Sequence, residues 1–207
     1  TAKAISIAPL STPPEFKAGK TWITVGTLFK TIVLIRKSIY HQNKRAQNIT
    51  LEEYYKTITH PDGSRLAFFS FEGTEPGIIF FSGYKSDMNG TKACSIELFC
   101  KEKNISFTKF DYFGHGESDG KFEDGTISRW LEDSLLIFDN ITIGKQILIG
   151  SSMGAWIMFI LASLRKSRLA GVIGIASAPD FTKFFIENAN SKIRKELKNK
   201  GIYWQDS

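Results

Sequence analysis

Histidine is scarce in this chain, and where it stands matters more than how much there is. The three histidines, His41, His60 and His115, all fall in the first 115 of 207 residues. Cysteine is scarcer still. Cys94 and Cys100 are six apart, so they would not share a helix face, and they do not form a C-x-x-C pair. They read as reduced core thiols of a reducing compartment, not as a disulfide framework. With no histidine pair and no cysteine cluster at ligand spacing, no metal is expected. Gly114-His115-Gly116 lacks the third glycine of a dinucleotide fingerprint, and no ribose-binding acid can be placed after it. No phosphate-binding glycine loop is present either, so no cofactor is expected.

Long apolar runs are also missing. Residues 22–35 are mostly apolar, but Lys30 interrupts them and they fall short of the roughly 20 residues a membrane span needs. Acids are missing from the same end. Residues 1–49 carry eight Lys and Arg and one acid, Glu15, a net of +7, so the remaining residues sum to −1 against the whole chain's +6. The basicity belongs to the leader, which argues against a nucleic-acid groove. Residues 1–49 are expected to be a basic extension: poorly ordered, helical on the domain surface, or a targeting segment. The rest, at 42% hydrophobic for the whole chain, suits one domain with a substantial core.

That rest alternates between strand and helix signals. Residues 54–59 and 66–71 read as a hairpin across the Pro61-Asp62-Gly63 turn signal. A second turn is expected at Glu75-Pro76-Gly77. Residues 78–81 are continuously apolar, as in a strand buried on both faces. A helix is predicted near 91–103, with Ala93, Ile96, Phe99 and Cys100 on one side. A strand over 105–111 follows, then a Gly-rich polar loop over 114–125. Thr126 is placed to cap a helix striped by Ile127, Trp130, Leu131, Leu135 and Phe138. A strand at 146–150, a helix at 153–164 that is apolar almost all round, a strand at 169–176 and an amphipathic helical segment at 180–200 complete the pattern. This predicts an α/β architecture: a mainly parallel sheet with helices on both faces and an antiparallel edge.

Gly150-Ser151-Ser152-Met153-Gly154 sits at a strand–helix junction. G-x-S-x-G in that position is a nucleophile elbow, with Ser152 lifted above the sheet edge and small residues on either side for close packing. Alone, the pattern arises by chance in about one chain in fifteen of this length, so its surroundings carry the weight. Ser82-Gly83-Tyr84 ends the third strand. A turn there can aim the Tyr84 N–H, with the Met153 N–H, at an acyl oxygen, an oxyanion hole worth about 3–4 kcal/mol per donor. The lesser alternative is that Gly83 only turns the chain. After the fourth strand comes Asp111-Tyr112-Phe113-Gly114-His115-Gly116-Glu117-Ser118-Asp119-Gly120. His115, between two glycines and 37 positions before the serine, reads as a turn residue bonded to nearby backbone and not as the base.

Together these motifs resemble the α/β-hydrolase superfamily over residues 50–185. Phe81-Ser82-Gly83-Tyr84, residues 88–93, Phe110-Asp111-Tyr112, residues 116–120 and residues 150–156 resemble one branch of it: the mitochondrial palmitoyl-protein thioesterases and mycophenolic-acid acyl-glucuronide esterases, with their bacterial relatives. The resemblance implies Ser152 as nucleophile and a small-molecule acyl ester or thioester as substrate. A cytoplasmic, bacterial-type location is expected, with a mitochondrial one as the alternative.

In that superfamily the acid follows the seventh strand and the histidine the eighth. Only six strands are recognisable here, and no histidine follows Ser152. At about 30 residues per strand–helix unit, the last two strands are expected to be missing. The sixth strand would then be an exposed edge, which predicts poor solubility, a homodimer or a complementing C-terminal fragment. Asp180 follows the sixth strand and reads as a helix cap. Residues 180–207 are a possible lid, in which Phe181, Phe184, Phe185 and Trp204 either line an acyl site or simply pack an amphipathic helix. Two other readings stay open. One is a catalytically incomplete hydrolase scaffold, and the other is a lyase or peptidase on the same fold.

Overall fold

The computed structural model describes residues 2–6, 55–200 and 202–206. Most of the expected basic extension lies outside them. The main sheet has six strands: β2 (Lys56–Thr59), β3 (Arg65–Phe71), β4 (Thr74–Phe81), β5 (Ile105–Phe110), β6 (Gln146–Ser151) and β7 (Leu169–Ile175). Their spatial order is β2-β3-β5-β4-β6-β7. β4 pairs in parallel with both β5 and β6, and β6 with β7. β2 and β3 form the expected hairpin, and β3 runs antiparallel to β5. A separate ladder pairs β1 (Ala2–Ser6) with β8 (Ile202–Asp206).

Helices cover both faces, as two core clusters show. Alternation along β4 sends Ile79 and Phe81 to one cluster and Ile78 and Phe80 to the other, and Leu148 and Ile149 of β6 divide in the same way. The first cluster is closed by α2 (Ile127–Ile141), through Trp130, Ile137 and Phe138, and by α3 (Met153–Leu164). The second is closed by α1 (Thr91–Lys103), through Ala93, Ile96 and Cys100. Thr126 caps α2 as expected, its hydroxyl accepting the Arg129 N–H at 3.1 Å. At the far end of α2, the Arg168 guanidinium donates to the carbonyls of Phe138, Thr142 and Gly144, at 3.1, 2.6 and 3.1 Å. Phe138 lies in the last turn of α2 and Thr142 is its C-cap, where carbonyls lack intrahelical partners, and Gly144 lies just beyond.

Two local expectations are corrected. Glu75-Pro76-Gly77 is not a turn: all three residues lie within β4, where the register shifts between Thr74 and Ile78. A bulge tolerates proline because no ladder N–H is needed there. The flanking N–H groups of Thr74 and Gly77 instead reach the carbonyls of Asn104 (2.7 Å) and Lys145 (3.0 Å). The amphipathic segment at 180–200 is two helices, α4 (Phe181–Asn188) and α5 (Ser191–Lys200). Among the described residues no helix is long and apolar enough to cross a membrane.

Candidate active site

Ser152 stands alone between the end of β6 and the start of α3, with φ 53° and ψ −119°. This backbone conformation is strained for a residue with a Cβ, and such strain persists only where the surroundings impose it. The surroundings here are close. A Cβ at Gly150 would lie 2.5 Å from the Ala155 Cα, and one at Gly154 would lie 2.3 Å from the carbonyl oxygens of both Phe81 and Ser82. Only glycine fits at either position, so β6, α3 and the end of β4 converge on the serine. The Ser152 N–H donates to the Ile175 carbonyl at 3.0 Å. Its own carbonyl accepts from Ala155 at 3.0 Å and from Ala178 at 3.3 Å. The serine is thereby tied to the end of β7 and to the segment that follows it.

Gly83 and Tyr84 lie against the elbow. A Cβ on Gly83 would be 3.5 Å from the Ser152 Cβ. The turn is closed by Ser86 N–H to the Gly83 carbonyl at 3.1 Å and by Ser82 Oγ to the Asp87 carbonyl at 3.2 Å. A cleft of about 380 Å³ opens beside it, lined by Gly83, Tyr84, Asp87, Thr91, Ser151 and Ser152 among others. Met153 is the first residue of α3 and its side chain is fully buried. An N–H at that position has no carbonyl to bond within its own helix. Among the described residues no side chain hydrogen-bonds to Ser152 Oγ.

His115 lines a neighbouring hollow of about 270 Å³ with Lys85, Asp87, Gly114 and Phe122; it shares Ser86 and Asp87 with the Ser152 cleft, and Ser152 is not part of its lining. The imidazole is buried among Tyr112, Phe122 and Trp130, and its Nδ1 is 3.2 Å from the Phe113 carbonyl. Burial holds its pKa below the ordinary value. The ring is therefore neutral, with Nδ1–H donating to that carbonyl, as a turn residue would.

The sequence reading missed two features near the cleft. Lys109 is wholly buried on the α1 side of the sheet, with Nζ 2.9 Å from Glu97 Oε2 and 3.4 Å from Asn89 Oδ1. Strand alternation from Phe107 puts residue 109 on that face, and this was the available signal. The other is an aromatic contact. Phe181 meets Trp156 and Tyr84 edge-on, with ring centroids 5.7 and 6.4 Å apart. The side chains of Phe184, Phe185 and Trp204 lie outside the described residues. Asp180 occupies the N-cap position of α4 but makes no side-chain cap bond, against expectation. Its φ of 52° is left-handed, not the extended conformation from which a cap side chain reaches back.

A mostly parallel sheet covered on both faces, with a strained serine between strand and helix, defines the class: this is an α/β-hydrolase. Residues 75–201 match the family described as serine aminopeptidase S33 (Hydrolase_4), and the chain belongs to that family. It is 41% identical over 146 residues to mitochondrial palmitoyl-protein thioesterase ABHD10 of Bos taurus and, equally, to that of Homo sapiens, covering 70% of this chain and 48% of each relative. The chain thus spans about half the length of the curated relatives it matches. The solved structure of mouse alpha/beta hydrolase domain-containing protein 10 superposes with a TM-score of 0.67 at 38% identity, covering 70% of this chain and 58% of that one. A hydrolase from Agrobacterium vitis S4 superposes at 0.66 and 37%, covering 74% and 64%.

Proposed function

We propose that this chain carries the nucleophile and oxyanion hole of a serine hydrolase acting on acyl esters or thioesters. The observation that supports this best is the strained Ser152 at the β6–α3 junction, beside the Gly83-Tyr84 turn. In this reading Ser152 Oγ attacks the acyl carbonyl and the oxygen becomes negative. The N–H groups of Met153 and Tyr84 receive that charge, each worth about 3–4 kcal/mol in the transition state. The leaving alcohol or thiol departs, an acyl-serine remains, and water releases the acid. The resemblance implies that the proton acceptor is a histidine after the last strand of the complete α/β-hydrolase sheet. The thioesters are favoured by the relatives' names, palmitoyl-protein thioesterase. Those names also say mitochondrial, which favours a mitochondrial over a cytoplasmic location.

Labelling with a fluorophosphonate probe tests the nucleophile. Labelling should be lost in Ser152→Ala, and ester turnover that survives that substitution overturns the reading. The alternative reading is a hydrolase scaffold without a working triad. In serine hydrolases, loss of a triad member leaves only about 10³–10⁴-fold catalysis over water. A folded protein that takes no label would support the scaffold.

A further inference from the structure

We propose that Phe181 is a specificity-determining residue of the Ser152 site, setting the width of the acyl group that can reach the hydroxyl. The inference rests on the reading that an acyl group approaches Ser152, and it names what limits that approach.

Three observations place Phe181 there. First, its two ring neighbours both belong to the elbow's surroundings. Trp156 is four residues after Ser152, one helical turn along and on the same side of α3 as the serine. Tyr84 follows Gly83 and lines the cleft that contains Ser152. Phe181 meets each edge-on, at 5.7 and 6.4 Å between centroids, and Tyr84 in turn meets Phe122 at 5.0 Å. Trp156, Phe181, Tyr84 and Phe122 therefore form one row of aromatic rings.

Second, the row is only partly covered. Tyr84 and Phe181 each keep 38% of their surface exposed, and both rank among the exposed large apolar side chains of the described residues. Rings left open beside a cleft offer apolar surface to a ligand. Phe181 is not itself in the lining of the cleft and reaches it through Tyr84, so an acyl group that extends from Ser152 past Tyr84 along this row meets Phe181.

Third, the backbone fixes where Phe181 begins. Ala176 and Asp180 have φ of 47° and 52°, both left-handed without glycine. Between them the Ala178 N–H donates to the Ser152 carbonyl at 3.3 Å. The turn that delivers Phe181 is thus bonded to the nucleophile itself, and two strained residues bracket it.

The test is independent of turnover. Ser152→Cys in a Cys94→Ser background leaves one thiol at the site, because Cys100 is wholly buried. Its modification is timed with a methyl and with a benzyl methanethiosulfonate. Phe181→Ala should raise the benzyl-to-methyl rate ratio about tenfold, the scale on which a pocket discriminates by size. Phe181→Trp should lower it. If the alanine variant does not fold, Phe181→Leu carries the comparison, with a smaller rise expected. A ratio that does not change with residue 181 overturns the proposal, even if both rates rise together. A failure of the nucleophile reading shows differently: the size ratio responds to residue 181 while wild-type Ser152 takes no fluorophosphonate.

Discussion

The Asp111 carboxylate accepts the Met88 N–H at 2.6 Å and so binds the end of β5 to the loop bordering the Ser152 cleft. Its second oxygen accepts the Glu117 N–H at 3.0 Å. A Cβ at Gly116 would come within 2.0 Å of that oxygen, so the backbone wraps directly over the carboxylate. One buried side chain therefore sets both the cleft loop and the loop of residues 112–120. Burial pushes its pKa up from 3.8 to about 6, against the pull of the two N–H bonds.

A pH prediction follows from that direction. The folded state holds the Asp111 proton more tightly than the unfolded chain, so this group's contribution is fully present below pH 3.8 and is lost as pH rises through about 6. The full difference is on the order of 3 kcal/mol. Asp111→Asn cannot titrate and loses one acceptor at a cost that does not vary with pH. Relative to wild type, the variant should gain stability between pH 4 and pH 7. Urea unfolding of both proteins across that range measures the slope, and parallel curves would refute it.

The Lys109–Glu97 pair makes a different prediction. Glu97 Oε1 also receives Lys101 at 2.6 Å, but Lys101 is half exposed while Lys109 is wholly buried. Glu97→Leu leaves an ammonium in the core, which should destabilise by about 3–5 kcal/mol. Lys109→Met in the same chain removes the stranded charge. The double variant should therefore be more stable than Glu97→Leu alone, a coupling that chemical denaturation resolves. Additive losses would mean the ammonium is solvated in a way its burial contradicts.

Arg168 supports a third prediction. Its guanidinium reaches three carbonyls and the Thr142 hydroxyl at the end of α2. A lysine keeps the charge but cannot span that fork. Arg168→Lys should lower stability by about 1–3 kcal/mol, the range for charged hydrogen bonds left unmade. Thermal unfolding indistinguishable from wild type would show that charge alone suffices there.

What the sequence revealed divides by range. The apolar run at 78–81, the strand before the elbow and the Thr126 cap are local signals, and each stands in the structure where it was expected. The placement of Ser152 between strand and helix was legible for the same reason: strand, turn and helix signals are contiguous. Pro76 within β4 was not legible, because the groups that satisfy the bulge, Asn104 and Lys145, are far away in sequence. Glu97 and Lys109 lie on different elements, and neither alone signals a partner. Phe181 was legible only as one of several residues that either line an acyl site or pack an amphipathic helix, because its edge-on contacts with Tyr84 and Trp156 depend on two left-handed residues that carry no glycine to announce them.

Gly154 of the elbow contrasts most sharply with another glycine, Gly171. In an exposed helix, Gly→Ala normally gains about 1 kcal/mol by lowering backbone entropy. Gly154 lies in α3, so propensity alone predicts that gain. Its added Cβ would instead meet the carbonyl oxygens of Phe81 and Ser82 at 2.3 Å, and these belong to backbone that cannot swing aside. Relief requires α3 to move away from the end of β4, which also moves Ser152 away from Gly83. Gly154→Ala should therefore lose on the order of 1–3 kcal/mol, the cost of overpacking, together with fluorophosphonate labelling if Ser152 is the nucleophile. Gly171 in β7 is the control. Its Cβ would find only the Ile147 side chain, at 4.0 Å, and its φ is not left-handed. Gly171→Ala should be neutral or slightly stabilising by thermal unfolding. If both substitutions behave alike, close packing at the elbow is not what demands glycine at 154.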